Sequence, residues 1–168
     1  MRPINVAIVL ITLITSAHAI EQKVAVQIDA APIEEPPLPR PKPSLHDVTG
    51  DNPAKLISAF RHQHGEESVA ISPVLTRIAQ EQANAMATRD SLDHDVLAPF
   101  SRRISSGGFS RAAENIAFGH ADFANTLEQW TNSAAHRANL LLPGAKWIGV
   151  ARAQNGHRTY WAMVIGRK

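Results

Sequence analysis

The sequence predicts an α+β domain, with helices packed on both faces of a small antiparallel sheet. Three observations carry this reading. Two segments opened by Asn52-Pro53 and Ser72-Pro73 repeat apolar residues at helical spacing. The chain closes on residues 147–153 (WIGVARA) and 159–165 (TYWAMVI), rich in β-branched and aromatic side chains, around the turn dipeptide Asn155-Gly156. The second run is apolar on both faces, so a layer must cover each side.

Composition narrows the function classes. The 168 residues fit one domain rather than two. Seventeen lysines and arginines against fifteen acids leave a net charge of +2, too small to imply a nucleic-acid partner. No cysteine is present, which excludes a disulfide framework, thiolate metal sites and a cysteine nucleophile. Metal or acid–base chemistry has to come from the eight histidines and the carboxylates.

In chain order, Arg2, the apolar run at 6–14 and Ala17-His18-Ala19 form the three-part pattern of a secretory signal peptide over residues 1–19, with cleavage expected after Ala19. No later run reaches the roughly 20 residues that a membrane span takes. Residues 20–51 are expected to be a linker, because six of the twelve residues at 32–43 are proline, which favours an extended spacer over helix or strand. The domain itself is expected at 52–168. Its first helix buries Leu56, Ile57 and Phe60 and stops at Gly65. Its second, at about 73–89, carries Val74, Leu75, Ile78, Gln82, Ala85 and Met86 at helical spacing. A polar loop follows at 90–95, then a short helix at 100–106 before Gly107-Gly108. Phe123, Leu127 and Trp130 form a third helical face. Ser133 is placed to cap a fourth helix at 134–141, stopped by Pro143-Gly144. Trp130 and Trp161, each on an apolar face, are expected in the core.

Three polar residues lie beside segments that should be buried. His94 sits between Asp93 and Asp95, Glu114 interrupts the apolar stretch AAENIA, and His136 stands in SAAHRANLL. Imidazole is a common zinc ligand, and a nearby carboxylate can orient it or activate water. Separations of twenty and twenty-two positions leave two readings open: one shared cleft, or three groups that each tie a loop to a helix. The remaining candidates are weaker. His62 and His64 point in different directions near a helix end. His120 suits a helix cap and His157 the hairpin turn. The run at 105–108 matches no phosphate-binding loop. Ser133 and His136 lack the elbow and the separate acid of a serine hydrolase.

The motifs LDHD around His94, AAENIA around Glu114, EQW at 128–130, SAAHRANLL at 133–141, WIGVA at 147–151 and TYWAMVIG at 159–166, in this order, resemble the CAP superfamily. That superfamily comprises the cysteine-rich secretory, antigen 5 and pathogenesis-related class 1 proteins that share the SCP domain. The likeness is to its compact, cysteine-free bacterial branch and covers residues 52–168. It implies a three-layer α-β-α sandwich with a central cavity of two histidines and two acids. His94, His136 and Glu114 match three of these. The fourth position falls on Ser133, which is no acid. Ala113 replaces a glycine common in the family, and Ala134-Ala135 replace a frequent Pro-Gly.

From the resemblance, His94 and His136 are the metal candidates for zinc or another divalent cation, Glu114 is the catalytic candidate, and Ser133 completes the cleft. The function it implies is a secreted binding module for a small-molecule, lipid or envelope ligand, in the periplasm or outside the cell. Such a module would be a monomer, with no nucleic-acid partner and no transmembrane anchor after cleavage. The alternative is a metal-assisted, protease-like hydrolase with Glu114 as base. A third reading is a structural or adhesive envelope protein. Two protein ligands are fewer than the usual three at catalytic zinc, which favours the binding module.

Overall fold

The computed structural model describes residues 27–29, 52–156 and 158–168. The leader pattern, the proline run and His157 lie outside them. Among the described residues, no helix is long and apolar enough to cross a membrane.

The first helix, α1 (Pro53–Gln63), opens as its sequence dictates. The Asn52 side chain accepts from the Lys55 amide at 3.2 Å, and proline fills the first helical position. Gly65 follows the end of the helix at φ +79°. Helix α2 (Pro73–Arg89) repeats this start, Ser72 Oγ accepting from the Leu75 amide at 3.3 Å. It ends where Asp90 turns left-handed, at φ +48°. The short α3 (Phe100–Ile104) runs into one 3-10 turn, Ser105–Gly107. Helices α4 (Phe123–Asn132) and α5 (Ala134–Leu140) follow one another directly. Ser133 stands at the N-cap of α5, but its side chain makes no capping bond, contrary to expectation.

Among the described residues the sheet has five strands: β1 (Gln27–Asp29), β2 (Ala70–Ile71), β3 (Arg111–Phe118), β4 (Trp147–Asn155) and β5 (Arg158–Arg167), in the order β1-β3-β5-β4-β2. All pairings are antiparallel except that of β2 with β4, which makes the sheet mixed rather than purely antiparallel. The hairpin closes one residue later than Asn155-Gly156 suggests. Asn155 pairs with Arg158, so Gly156, at φ +57°, is the first loop residue. Strand β1 comes from the stretch expected to be linker and pairs with the start of β3.

Alternation along the strands divides the core in two. Ala112, Ile116, Ala151, Tyr160, Ala162 and Val164 face α2 and α3. Ala113, Ala117, Ile148, Val150, Trp161, Met163 and Ile165 face α1, α4 and α5. This is the three-layer α-β-α sandwich. Trp130 and Trp161 are both fully buried, as expected. Their indole Nε1 groups donate to the carbonyls of Ile116 at 3.3 Å and His120 at 2.8 Å.

The outer edge of β3 is covered in steps. Ile28 pairs at Ala112, Asn139 Nδ2 donates to the Glu114 carbonyl at 3.2 Å, and Trp130 takes the Ile116 carbonyl. The strand that holds Glu114 is thereby fixed from the side of α4 and α5.

Candidate functional site

His94 is held in its loop by three neighbours. Gln82, fully buried on α2, donates from Nε2 to the carbonyls of Asp93 at 2.7 Å and His94 at 3.2 Å. Arg89, at the end of α2, donates to the Val96 carbonyl. Arg103 of α3 donates from Nη2 to the His94 carbonyl at 3.0 Å and from Nε to that of Ala98 at 3.0 Å. The loop at 90–99 is therefore pinned by helices on either side of it.

The side chains then meet on β3. Glu114 is fully buried on the α2–α3 face, between Ala112 and Ile116. A buried carboxylate needs charge and hydrogen bonds, and it has both. Arg103 grips it with two parallel bonds, Nη1 to Oε2 at 2.7 Å and Nη2 to Oε1 at 2.8 Å. His94 Nδ1 lies 2.8 Å from Oε1. A carboxylate paired with arginine can only accept, so Nδ1 is the protonated nitrogen. In the neutral ring the other nitrogen, Nε2, is then a lone pair; it is buried and has no hydrogen-bond partner among the described residues. The Arg103 side chain is 5 % exposed, so the whole cluster is shielded from water.

His136 approaches from the opposite layer. It is buried on α5, and its carbonyl accepts from Asn115 Nδ2 at 3.0 Å. Asn139 Nδ2, three residues along α5, donates to Asn115 Oδ1 at 3.0 Å and to the Glu114 carbonyl. Of the three sequence candidates, then, the His94 and Glu114 side chains touch directly, and His136 is tied through its main-chain carbonyl to Asn115, the next residue on the same strand. Ser133 lies half-buried at the α4–α5 junction.

Sequence reasoning missed Arg103, Gln82, Asn115 and Asn139. The signal for Gln82 was present: an amide on an otherwise apolar helical face has to be satisfied. The two asparagines lay inside the motifs, next to or near the residues singled out.

The donor set can be weighed against the cation that the resemblance implies. A histidine whose Nδ1–H is held by a carboxylate, with a bare buried Nε2, is the usual arrangement of a metal-ligating imidazole. Glu114 fits less well, since Arg103 already neutralises it. Among the described residues, no group of three or more histidines, aspartates and glutamates is placed to hold a metal ion. The set suits a loosely held ion on imidazole nitrogen and does not suit a firmly bound catalytic one.

Comparison with known proteins agrees with the fold and the motifs. The family model "CAP: Cysteine-rich secretory protein family" matches residues 54–165. The uncharacterized protein YkwD of Bacillus subtilis is 30 % identical over 106 residues, which are 61 % of this chain and 41 % of that protein. The structure of an extracellular protein containing an SCP domain from Bacillus anthracis superposes with a TM-score of 0.63 at 28 % identity, over 69 % of this chain and 39 % of that one. The chain thus spans less than half the length of both. An outer surface protein of Borrelia burgdorferi shares the fold, with a TM-score of 0.63 at 19 % identity, over 68 % of this chain and 89 % of that one. With the matched region covering α1 through β5, the chain belongs to the CAP family of cysteine-rich secretory proteins, in a form whose sequence contains no cysteine.

Proposed function

We propose that this chain is an extracellular binding module, whose polar centre at His94, Glu114 and His136 takes a divalent cation weakly and does not run efficient hydrolysis. The observation that carries the reading is the engagement of both Glu114 oxygens, by Arg103 at 2.7 and 2.8 Å and by His94 at 2.8 Å. A hydrolytic base must take a proton from a water within about 2.6–3.2 Å. Glu114 is fully buried, and its lone pairs are directed at a guanidinium and an imidazole. Its role is to orient His94 and to keep Nε2 available. His94 would hold a cation through Nε2, with His136 the second candidate ligand, and the ion would supply Lewis acidity when bound. The leader pattern at 1–19 and the extracellular description of the Bacillus anthracis protein support a location outside the cytoplasm. The ligand class is a small-molecule, lipid or envelope component, and the unit is a monomer.

Zinc titration calorimetry at neutral pH tests the reading, paired with turnover assays on peptide and ester substrates. Weak zinc binding that disappears in the His94→Ala, His136→Ala double variant is expected, with no metal-dependent turnover. Absence of zinc binding would contradict the metal half. Metal-dependent turnover that collapses in a folded Glu114→Gln variant would overturn the other half.

A further inference from the structure

We propose that Arg103 sets the specificity of the polar centre, because its guanidinium cancels the charge of Glu114, the carboxylate behind His94 that would otherwise offset part of a divalent cation's charge at Nε2. The inference rests on the reading of His94 as a ligand atom and assigns to Arg103 the control of what that atom accepts. Arg103 makes four directed bonds: Nη1 to Glu114 Oε2, Nη2 to Glu114 Oε1, Nη2 to the His94 carbonyl and Nε to the Ala98 carbonyl. Its guanidinium also lies over the Phe100 ring, 5.3 Å from the centroid. A surface arginine has no need of such a cradle.

The charge balance explains the consequence. Glu114 contributes one negative charge and Arg103 one positive charge, in direct contact and out of water. Arginine stays protonated in proteins. With neutral His94, the cluster closes at zero net charge without any ion. A dication at His94 Nε2 would add two positive charges to a buried cluster whose one carboxylate is already cancelled by a guanidinium. The centre is therefore set to hold a dication at Nε2 only weakly. Removing the guanidinium charge should make the same residues hold it more tightly.

The test is zinc calorimetry on the full chain and on Arg103→Gln and Glu114→Gln, with circular dichroism melts to establish folding. Arg103→Gln keeps a hydrogen-bond donor but no charge. It should bind zinc at least about tenfold more tightly than the wild type, by relief of charge repulsion. Glu114→Gln, which leaves the guanidinium uncompensated, should bind several-fold more weakly. The opposite signs matter, because mere loosening of the site would weaken both. A folded Arg103→Gln that binds no tighter than wild type overturns the proposal. Should that variant fail to fold, Glu114→Gln decides, and an unchanged or higher zinc affinity overturns it. A gain in Arg103→Gln without measurable wild-type binding would sink the weak-binding reading and sustain the role of Arg103. Wild-type binding without a gain would do the reverse.

Discussion

Arg61 Nη1 donates to the carbonyl of Leu140 at 2.7 Å, closing α1 onto the last turn of the helix that carries His136. The guanidinium is fully buried and also reaches the carbonyls of Glu67 at 2.8 Å, Leu142 at 3.2 Å and Ala145 at 3.2 Å. Burial lowers its proton affinity, and Glu66 and Glu67 act against that. Arg61→Met removes donors from several buried carbonyls at once. Bonds from a charged donor contribute about 1.5–3 kcal/mol each, so a loss of about 3 kcal/mol or more is expected in urea unfolding. A loss below about 1 kcal/mol, the scale of a neutral hydrogen bond, would show that the carbonyls find other donors.

Gly149 permits the closest approach of α2 to the sheet. A Cβ there would lie 2.1 Å from both the Leu75 carbonyl carbon and the Thr76 nitrogen, which are backbone atoms and cannot step aside. Gly149→Ala should therefore shift α2 and destabilise the domain by about 3 kcal/mol or more, at the upper end of overpacking costs. Thermal melts give the answer, and a near-wild-type midpoint would mean that the packing of α2 on β4 is looser than described.

Asp90, at the end of α2, joins that helix to β5. Tyr160 Oη donates to its Oδ1 at 2.5 Å, and Arg158 Nη1 lies 3.0 and 2.9 Å from its two oxygens. The Tyr160 hydrogen bond, helped by the Arg158 charge and opposed by burial, holds the Asp90 carboxyl below the usual range. Burial, and then the bond to Asp90, raises the Tyr160 phenol. The depressed acid contributes stability above its unfolded value of about 3.9, lost as pH falls through the folded one. The raised phenol contributes below about 10, lost as pH rises through its folded value. Tyr160→Phe should flatten both limbs of a plot of melting temperature against pH. Unchanged limbs would refute the coupling.

Much of this architecture was legible locally. Helix α2 could be bounded at 73–89 because a serine cap, a proline at the first position and a spaced apolar face all act within the helix. The hairpin was legible for the same reason, although Gly156 moved the turn by one residue because it takes the positive φ. Strand β3 is not legible in its own sequence, because the RAAENIAF run is poor in β-branched residues. Its extended form comes from pairing with β1 and β5, which are distant in sequence. At the site, motif order singled out His94, Glu114 and His136 where spacing left the matter open. Arg103 was hidden beside Arg102. The two look alike in sequence, and only the orientation of α3 leaves one exposed and turns the other onto Glu114.

The central claim is that Glu114, locked by Arg103, fixes the His94 ring with its proton on Nδ1 and a bare Nε2. Long-range proton–nitrogen correlation spectra of the imidazole, recorded on the full chain at neutral pH without metal, test it most directly. The account predicts the neutral Nδ1–H form for His94, with Nε2 showing the shift of an unprotonated nitrogen. A proton on Nε2 of His94 would contradict it.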